Sequence, residues 1–140
     1  MRVMAIDYGD TRTGVALSDL SGTLVGETFV IKSYSQERTV ELVCEAILDK
    51  CPEIIVVGYP KNMNGTIGPR AEKSAMFAEA LREKTDVPVV LRDERLTTVD
   101  AHRILSDVGK RGKKRKETVD AVAASLILEN YLAEMKNTNA

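Results

Sequence analysis

The sequence predicts an α/β fold with a five-stranded mixed sheet, in which three antiparallel strands precede two parallel strands and helices flank the sheet. Residues 3–6 and 54–57 are short, uninterrupted apolar runs, which are typical of strands buried on both faces. Elsewhere, apolar residues recur with helical spacing. The 140 residues suit one domain, expected over 1–136 with 137–140 as a frayed tail.

Three consecutive strands are predicted before the first helix. The first apolar run ends at Asp7, Gly9 permits a tight turn, and residues 13–18 return as the second strand. Residues 24–31 are rich in β-branched and aromatic side chains and follow a turn at Gly22. Because their connections are short, these strands are expected to pair antiparallel.

A change to helical periodicity marks the next element. Ser35 is a plausible N-cap, and the helix should end before Pro52. Its apolar face has the spacing i, i+3, i+4, i+7, i+8 and consists of Val40, Val43, Cys44, Ile47 and Leu48. A second helix is expected to begin at Pro69 and to present a narrow face of Ala71, Ala75, Ala78 and Leu81.

The remaining elements complete the sheet and add two helices. The run 54–57 predicts a buried parallel strand that ends at Gly58, and residues 87–91 predict a fifth strand. Pro88 indicates that this strand begins there or lies at an edge. One further helix is expected between Thr97 and Gly109, and the last helix is expected to begin at an N-cap on Thr118.

Composition narrows the class of protein. The content of 44% hydrophobic and 29% charged residues is ordinary for a globular protein, and no apolar run approaches the ~18 residues of a membrane span. The first strand begins close to Met1, which leaves no room for a signal peptide, so a cytoplasmic protein without membrane contact is expected. Cys44 and Cys51 lack partners at zinc-ligand spacing and are expected to be structural.

The formal net charge of -1 hides a strongly basic segment. Residues 110–116 carry +6, so the rest of the chain sums to -7, and the positive residues are Lys110, Arg111, Lys113, Lys114, Arg115 and Lys116. The segment could simply be a solvated loop. Binding to substrate phosphates is favoured, because release of counterions would reward that contact.

Acidic residues follow the first and fifth strands and open the last helix. Asp7 stands at the carboxyl end of a central strand, where open α/β sheets bind ligands, although it could merely cap a turn. Asp93 and Glu94 follow the fifth strand. Asp120 is predicted in the first turn of the last helix, where the helix dipole favours an acid without any function.

Four ordered stretches carry a resemblance to a known family: AIDYGDTRTGVALSD, IIVVGYPKNMNGTIGPR, PVVLRDERLTT and KKRKETVDAVAASLILENYL. With these motifs the chain resembles the YqgF family, which has a ribonuclease H-like fold. Members are provisionally described as Holliday junction resolvases and as nucleases that mature the 5′ end of pre-16S ribosomal RNA. The likeness spans the whole chain.

The resemblance implies a divalent-metal site made by Asp7, Glu94 and Asp120. These carboxylates suit Mg²⁺ or Mn²⁺, and two such ions would support phosphodiester hydrolysis, with Asp7 bridging them. The fifth strand is expected two positions from the first, ~9.6 Å away, so the longer Glu94 is preferred to Asp93 as the ligand. Asp93 is then expected to contact the metal ligands and help to position them, without binding the metal itself. The role of Asp10 stays open between metal contact and turn formation.

The implied substrate is a nucleic acid. Arg12, Lys61, Arg70 and Arg95 are further candidates for contacts with phosphates, beside the basic segment. The resemblance implies pre-16S rRNA as the substrate. Branched DNA is the alternative, and a junction resolvase should then be a two-fold homodimer in order to cut symmetrically. A non-catalytic nucleic-acid-binding module is a third possibility. A nucleotide-hydrolysing enzyme is disfavoured because the chain lacks a Walker lysine loop.

Overall fold

Five strands form one mixed sheet in the order β3-β2-β1-β4-β5. The computed structural model describes residues 1–60, 64–93 and 112–138, with the side chains of 112–118 and 137–138 excepted. The strands are β1 Val3–Asp7, β2 Arg12–Ser18, β3 Val25–Lys32, β4 Ile54–Tyr59 and β5 Val89–Asp93. The helices within these ranges are α1 Gln36–Lys50, α2 Pro69–Arg82 and α3 Gly112–Thr138.

The pairing of the strands confirms the predicted sheet. β1, β2 and β3 form an antiparallel meander, while β4 is parallel to β1 and β5 is parallel to β4. β5 begins directly after Pro88 and lies at the edge of the sheet, as the proline indicated. No helix in the described part of the chain is long and apolar enough to cross a membrane.

Each face of the sheet has its own hydrophobic cluster, and β1 contributes to both. Met4 and Ile6 pack on the side of α1 and α2, whereas Val3 and Ala5 pack on the side of α3. Successive side chains of a strand point to opposite faces, so Asp7 lies on the α3 side with Val3 and Ala5. This alternation decides which groups Asp7 can meet.

Helix α1 begins and ends where the sequence predicted. The Ser35 hydroxyl accepts a hydrogen bond from the Arg38 backbone N–H at 3.1 Å, which confirms the N-cap. Leu48, expected on the apolar face, is 82% exposed instead. It lies about 80° around the helix from Val40, beyond the stripe that faces the sheet. At the other end, Cys51 closes the helix in the left-handed conformation, with φ of 53°.

Cys51→Gly is expected to stabilise the protein. A side chain in the left-handed region costs about 1–2 kcal/mol, and the added freedom of an unfolded glycine cancels about 0.5–1 kcal/mol of the gain. The net increase in the free energy of unfolding should be about 0.5–1 kcal/mol, measured by urea denaturation. Cys51→Ala keeps the left-handed strain and should show no such increase. Equal values for the two variants would contradict this account.

The start of α3 corrects the prediction for the last helix. The helix begins at Gly112, so the N-cap at Thr118 is wrong, and so is the first-turn position of Asp120. Residues 113–117 are lysine, arginine and glutamate, which are good helix formers without a breaker among them. The helix predicted between Thr97 and Gly109 lies outside the described residues. At its other end α3 continues to Thr138, while the single domain over 1–136 stays a prediction.

Candidate active site at the carboxyl end of β1

Asp7 is a buried carboxylate at the end of a central strand. It is only 7% exposed, and the Nη2 atom of Arg70 lies 3.9 Å from its Oδ1 atom. An ionised carboxylate removed from water is costly unless a cation or hydrogen-bond donors compensate it. The position of Asp7 therefore favours a cation beside it, either an arginine or a metal ion.

Gly14 brings a second acid to the same place. It is the antiparallel partner of Asp7 in β2, and a Cβ atom on it would lie 2.1 Å from the backbone carbonyl oxygen of Asp120. Only a residue without a side chain allows α3 to approach β2 so closely. Paired residues on neighbouring strands lie about 4.5–5.5 Å apart and face the same side, so Asp120 is held next to Asp7.

Asp120 forms an ion pair with Arg12. The Nε atom of Arg12 lies 3.3 Å from the Oδ2 atom of Asp120, and both side chains are partly buried. Asp120 lies eight residues into α3, about 12 Å from the start of the helix, whereas the dipole acts mainly within the first turn. Stabilisation of the helix terminus therefore does not explain an acid at this position.

The acid of β5 faces the other side of the sheet. Asp93 is in phase with Val89, which packs in the cluster on the side of α1 and α2. Arg92, one residue earlier, faces α3, where it pairs with Glu134 and lies 5.9 Å from the ring centre of Tyr131. The structure thus separates Asp93 from Asp7 and Asp120 by the thickness of the sheet.

The turn between β1 and β2 is fastened to α2. Both carboxylate oxygens of Asp10 accept hydrogen bonds from the Lys73 ammonium, at 3.1 and 3.0 Å. Tyr8 stacks on Phe77 with ring centres 4.5 Å apart. Burial raises the pKa of Tyr8, and the negative charge of Asp10 raises it further. Tyr8 therefore stays protonated at neutral pH and anchors the turn.

The donor atoms available here fit a hard divalent cation. Asp7 and Asp120 supply carboxylate oxygens, the ligands that Mg²⁺ and Mn²⁺ prefer. Among residues 1–60, 64–93 and 112–138, no group of three or more His, Cys, Asp or Glu side chains could hold a metal ion. The third predicted ligand, Glu94, lies outside these ranges.

The basic residues predicted to bind nucleic acid are only partly located. Arg12 lies at the site, as the partner of Asp120. Lys113, Lys114, Arg115 and Lys116 belong to the first turns of α3, with side chains outside the described set. Four others lie outside the described residues altogether: Lys61, Arg95, Lys110 and Arg111.

Comparison with known proteins identifies the family. The family model described as RuvX, Holliday junction resolvase, matches residues 1–134. The chain belongs to the RuvX family. A relative from Thermoanaerobacter pseudethanolicus is 46% identical over 140 residues, which cover 98% of this chain and 99% of that protein. A relative from Listeria monocytogenes serotype 4b (strain F2365) is 49% identical over 138 residues, covering 94% and 97%. Both bear the provisional name of pre-16S rRNA nuclease.

Solved structures support the same fold. RuvC of Thermus thermophilus, in complex with a Holliday junction substrate, superposes with a TM-score of 0.62 at 17% sequence identity. The match covers 97% of this chain and 96% of RuvC. At this identity the likeness concerns the fold, and it confirms the predicted ribonuclease H-like architecture for this RuvX-family chain.

Three features of this RuvX-family site were not predicted from the sequence. They are the close approach of α3 at Gly14, the contact of Arg70 with Asp7, and the pairing of Lys73 with Asp10. Gly14 had a detectable signal, because a glycine inside a strand often marks a place where another backbone comes close. The two ion pairs join β1 and the following turn to α2, which lies about sixty residues later in the sequence. No local sequence pattern predicts such contacts.

Proposed function

We propose that this protein is a metal-dependent nuclease that hydrolyses phosphodiester bonds and matures the 5′ end of pre-16S rRNA in the cytoplasm. The observation that carries the proposal is the meeting of Asp7 and Asp120 across Gly14, at the carboxyl end of a central strand. Membership of the RuvX family and the name of the relatives support the nuclease activity and the RNA substrate.

In this proposal Asp7, Asp120 and Glu94 hold Mg²⁺ or Mn²⁺. When bound, such ions would supply an activated water and neutralise the leaving oxygen. Asp7 would hold the metal from the sheet, and Asp120 would hold it from α3. Glu94 is kept as the third ligand because Asp93 lies on the opposite face, which also argues against Asp93 as a support for the ligands.

Gly58 offers room for the substrate beside Asp7. It follows Val57, the partner of Ile6, and therefore lies next to Asp7 on β4; its own partner on β5 is Arg92. A residue without a side chain at this point leaves space on the α3 face between Asp7 and Arg92. The backbone of the nucleic acid would enter the site over this gap.

The basic segment at the start of α3 should contribute contacts with phosphates. Lys116 lies one helical turn before Asp120, so residues 112–116 are joined to the site by continuous helix. Changing Lys113, Lys114 and Lys116 to glutamine should weaken binding to all sequences. The salt dependence of log K should fall by roughly 0.7 per lost contact on single strands, or 0.9 on duplex.

Fluorescence anisotropy at several salt concentrations measures this slope. A triple change of Lys32, Lys84 and Lys136 to glutamine removes the same charge from the end of β3, the turn after α2 and the far end of α3, and it should alter the slope less. Equal slopes for both triple variants and the native protein would indicate that the segment is a solvated surface that does not contact phosphates.

A Holliday junction resolvase is the second candidate. It is favoured by the description of the family and by the fold shared with RuvC. Incubation with Mn²⁺ and either a pre-16S rRNA fragment or a four-way DNA junction separates the candidates, with the Asp7→Asn protein as the blank. Cleavage of the RNA alone supports the proposal, whereas paired cuts in the junction by a dimer support the alternative. Binding without any cleavage would indicate a non-catalytic module.

A further inference from the structure

Arg70 occupies a position that helix stability does not explain. It is the second residue of α2, after Pro69, and positive charges in the first turn of a helix are disfavoured by the dipole. Its guanidinium is directed instead to Asp7, across a gap of 3.9 Å. This distance exceeds that of a hydrogen bond, and the Arg70 side chain is 61% exposed. Arg70 is therefore a loosely held cation beside a buried anion.

Both acids of the site have an arginine beside them. Arg12 of β2 approaches Asp120, and Arg70 of α2 approaches Asp7. The two arginines come from different elements, Arg12 from the start of β2 and Arg70 from the first turn of α2. A divalent cation and a guanidinium compete for the same carboxylate oxygens, so binding of the metal and contact with arginine cannot be independent.

The buried face of α2, which includes Ala71 and Ser74, keeps Arg70 beside the site. Lys73 lies one turn further along α2, on the same edge of the helix, and its ammonium donates to both oxygens of Asp10. This exposed contact adds a link between α2 and the turn that follows Asp7. Arg70 can then leave Asp7 and remain within reach of a group bound at the site.

We propose that Arg70 exchanges partners during the reaction, leaving Asp7 for a non-bridging phosphate oxygen of the substrate once a divalent ion occupies the site. This inference rests on the proposed nuclease function. A phosphate suits a guanidinium because its oxygens can accept two parallel N–H bonds. Arg70 therefore opposes metal binding in the free protein and stabilises the negative charge of the bound substrate, so its removal has opposite effects on the two steps.

Calorimetric titration of Mn²⁺ into the protein without nucleic acid tests the first effect. Arg70→Gln should tighten Mn²⁺ binding roughly two- to fivefold, as expected for the loss of an exposed ion pair. Lys73→Gln removes the same charge from the same edge of α2 without touching Asp7, and it should change the affinity less. Arg70→Lys keeps the charge and should remain near the native affinity.

The second effect is measured on the nucleic acid. Arg70→Gln should lower kcat roughly tenfold or more, and Arg70→Lys should recover only part of the loss because it cannot form a bidentate contact. Anisotropy of a labelled RNA should show that Mn²⁺ strengthens binding less in Arg70→Gln than in the native protein. This binding measurement does not depend on cleavage.

Two results would overturn the exchange. One is an equal change of Mn²⁺ affinity in Arg70→Gln and Lys73→Gln, which would mean that the change comes from the overall charge of the protein and not from the contact with Asp7. The other is weaker Mn²⁺ binding in Arg70→Gln. Failure of the proposed function looks different, because Asp7→Asn would then leave Mn²⁺ binding unchanged. Thermal melting of each variant establishes that it is folded, as expected for changes at the exposed Arg70 and Lys73.

Discussion

Asp7→Asn, Glu94→Gln and Asp120→Asn are each expected to reduce metal-dependent cleavage by more than about 100-fold, the upper range for residues that only support metal ligands. Each change removes a negative charge and one oxygen ligand while keeping the shape of the side chain. Cleavage of a labelled substrate at several Mn²⁺ concentrations measures the loss. If water attacks the phosphate opposite the 3′ oxygen, as the proposed mechanism requires, the products of the native protein will carry a 5′ phosphate and a 3′ hydroxyl. Cyclic phosphate ends would instead identify the 2′ hydroxyl of RNA as the nucleophile.

Asp93→Asn provides the matched control for the acids. It removes the same charge at the end of β5, two strands from β1 and on the opposite face of the sheet, and should retain most of the cleavage. Melting with chelator and with Mn²⁺ adds a second measurement. The native protein should gain about 2.7 kcal/mol at one hundred times Kd, and Asp7→Asn much less. An acid whose neutral variant still cleaves does not belong to the site.

Gly14→Ala is expected to lower the free energy of unfolding by about 3 kcal/mol and to abolish cleavage. The new Cβ would lie 2.1 Å from the carbonyl oxygen of Asp120 and 2.6 Å from its carbonyl carbon. Because both atoms belong to the backbone, no rotation of a side chain can relieve the clash. Either α3 or β2 must move, and Asp120 then loses its position beside Asp7. Urea denaturation and cleavage assays measure the two losses.

Gly26→Ala is the control for this change. Gly26 also lies inside a strand, but its added Cβ would have no backbone atom nearer than 3.5 Å, an ordinary contact. The free energy of unfolding of the Gly26→Ala protein should stay within about 0.5 kcal/mol of the native value. Similar stabilities for the two alanine variants would mean that α3 does not depend on the missing side chain of Gly14.

The order and pairing of the strands were predictable because their signals are local. The apolar runs 3–6 and 54–57 each carry enough information to indicate a strand buried on both faces, and Ser35 marks a helix start by its own chemistry. The start of α3 was not predictable in this way. A cap at Thr118 contributes about 1 kcal/mol once, whereas several good helix formers before it favour continuation of the helix.

The sequence indicated candidate site residues but not their arrangement. The sequence indicated Asp7 and Asp120 from the positions of the acids and from the family resemblance. It did not reveal that Gly14 allows the two to meet, or that Arg70 lies at Asp7, since both depend on the packing of helices distant in sequence. The face on which Asp93 lies also required the observed register of β5.

Helix α1 has a separate value for protein engineering. It packs on β3 and α2, and none of the candidate site residues belongs to it. Its surface includes the exposed Leu48, and its end includes the strained Cys51. Heat-resistant forms of the protein can therefore be sought by redesigning α1 alone. Redesign of α3 would alter the hydrophobic packing of the sheet and the surroundings of Asp120 at the same time. Stability can therefore be changed without changing the candidate site only on the side of the sheet that α1 covers.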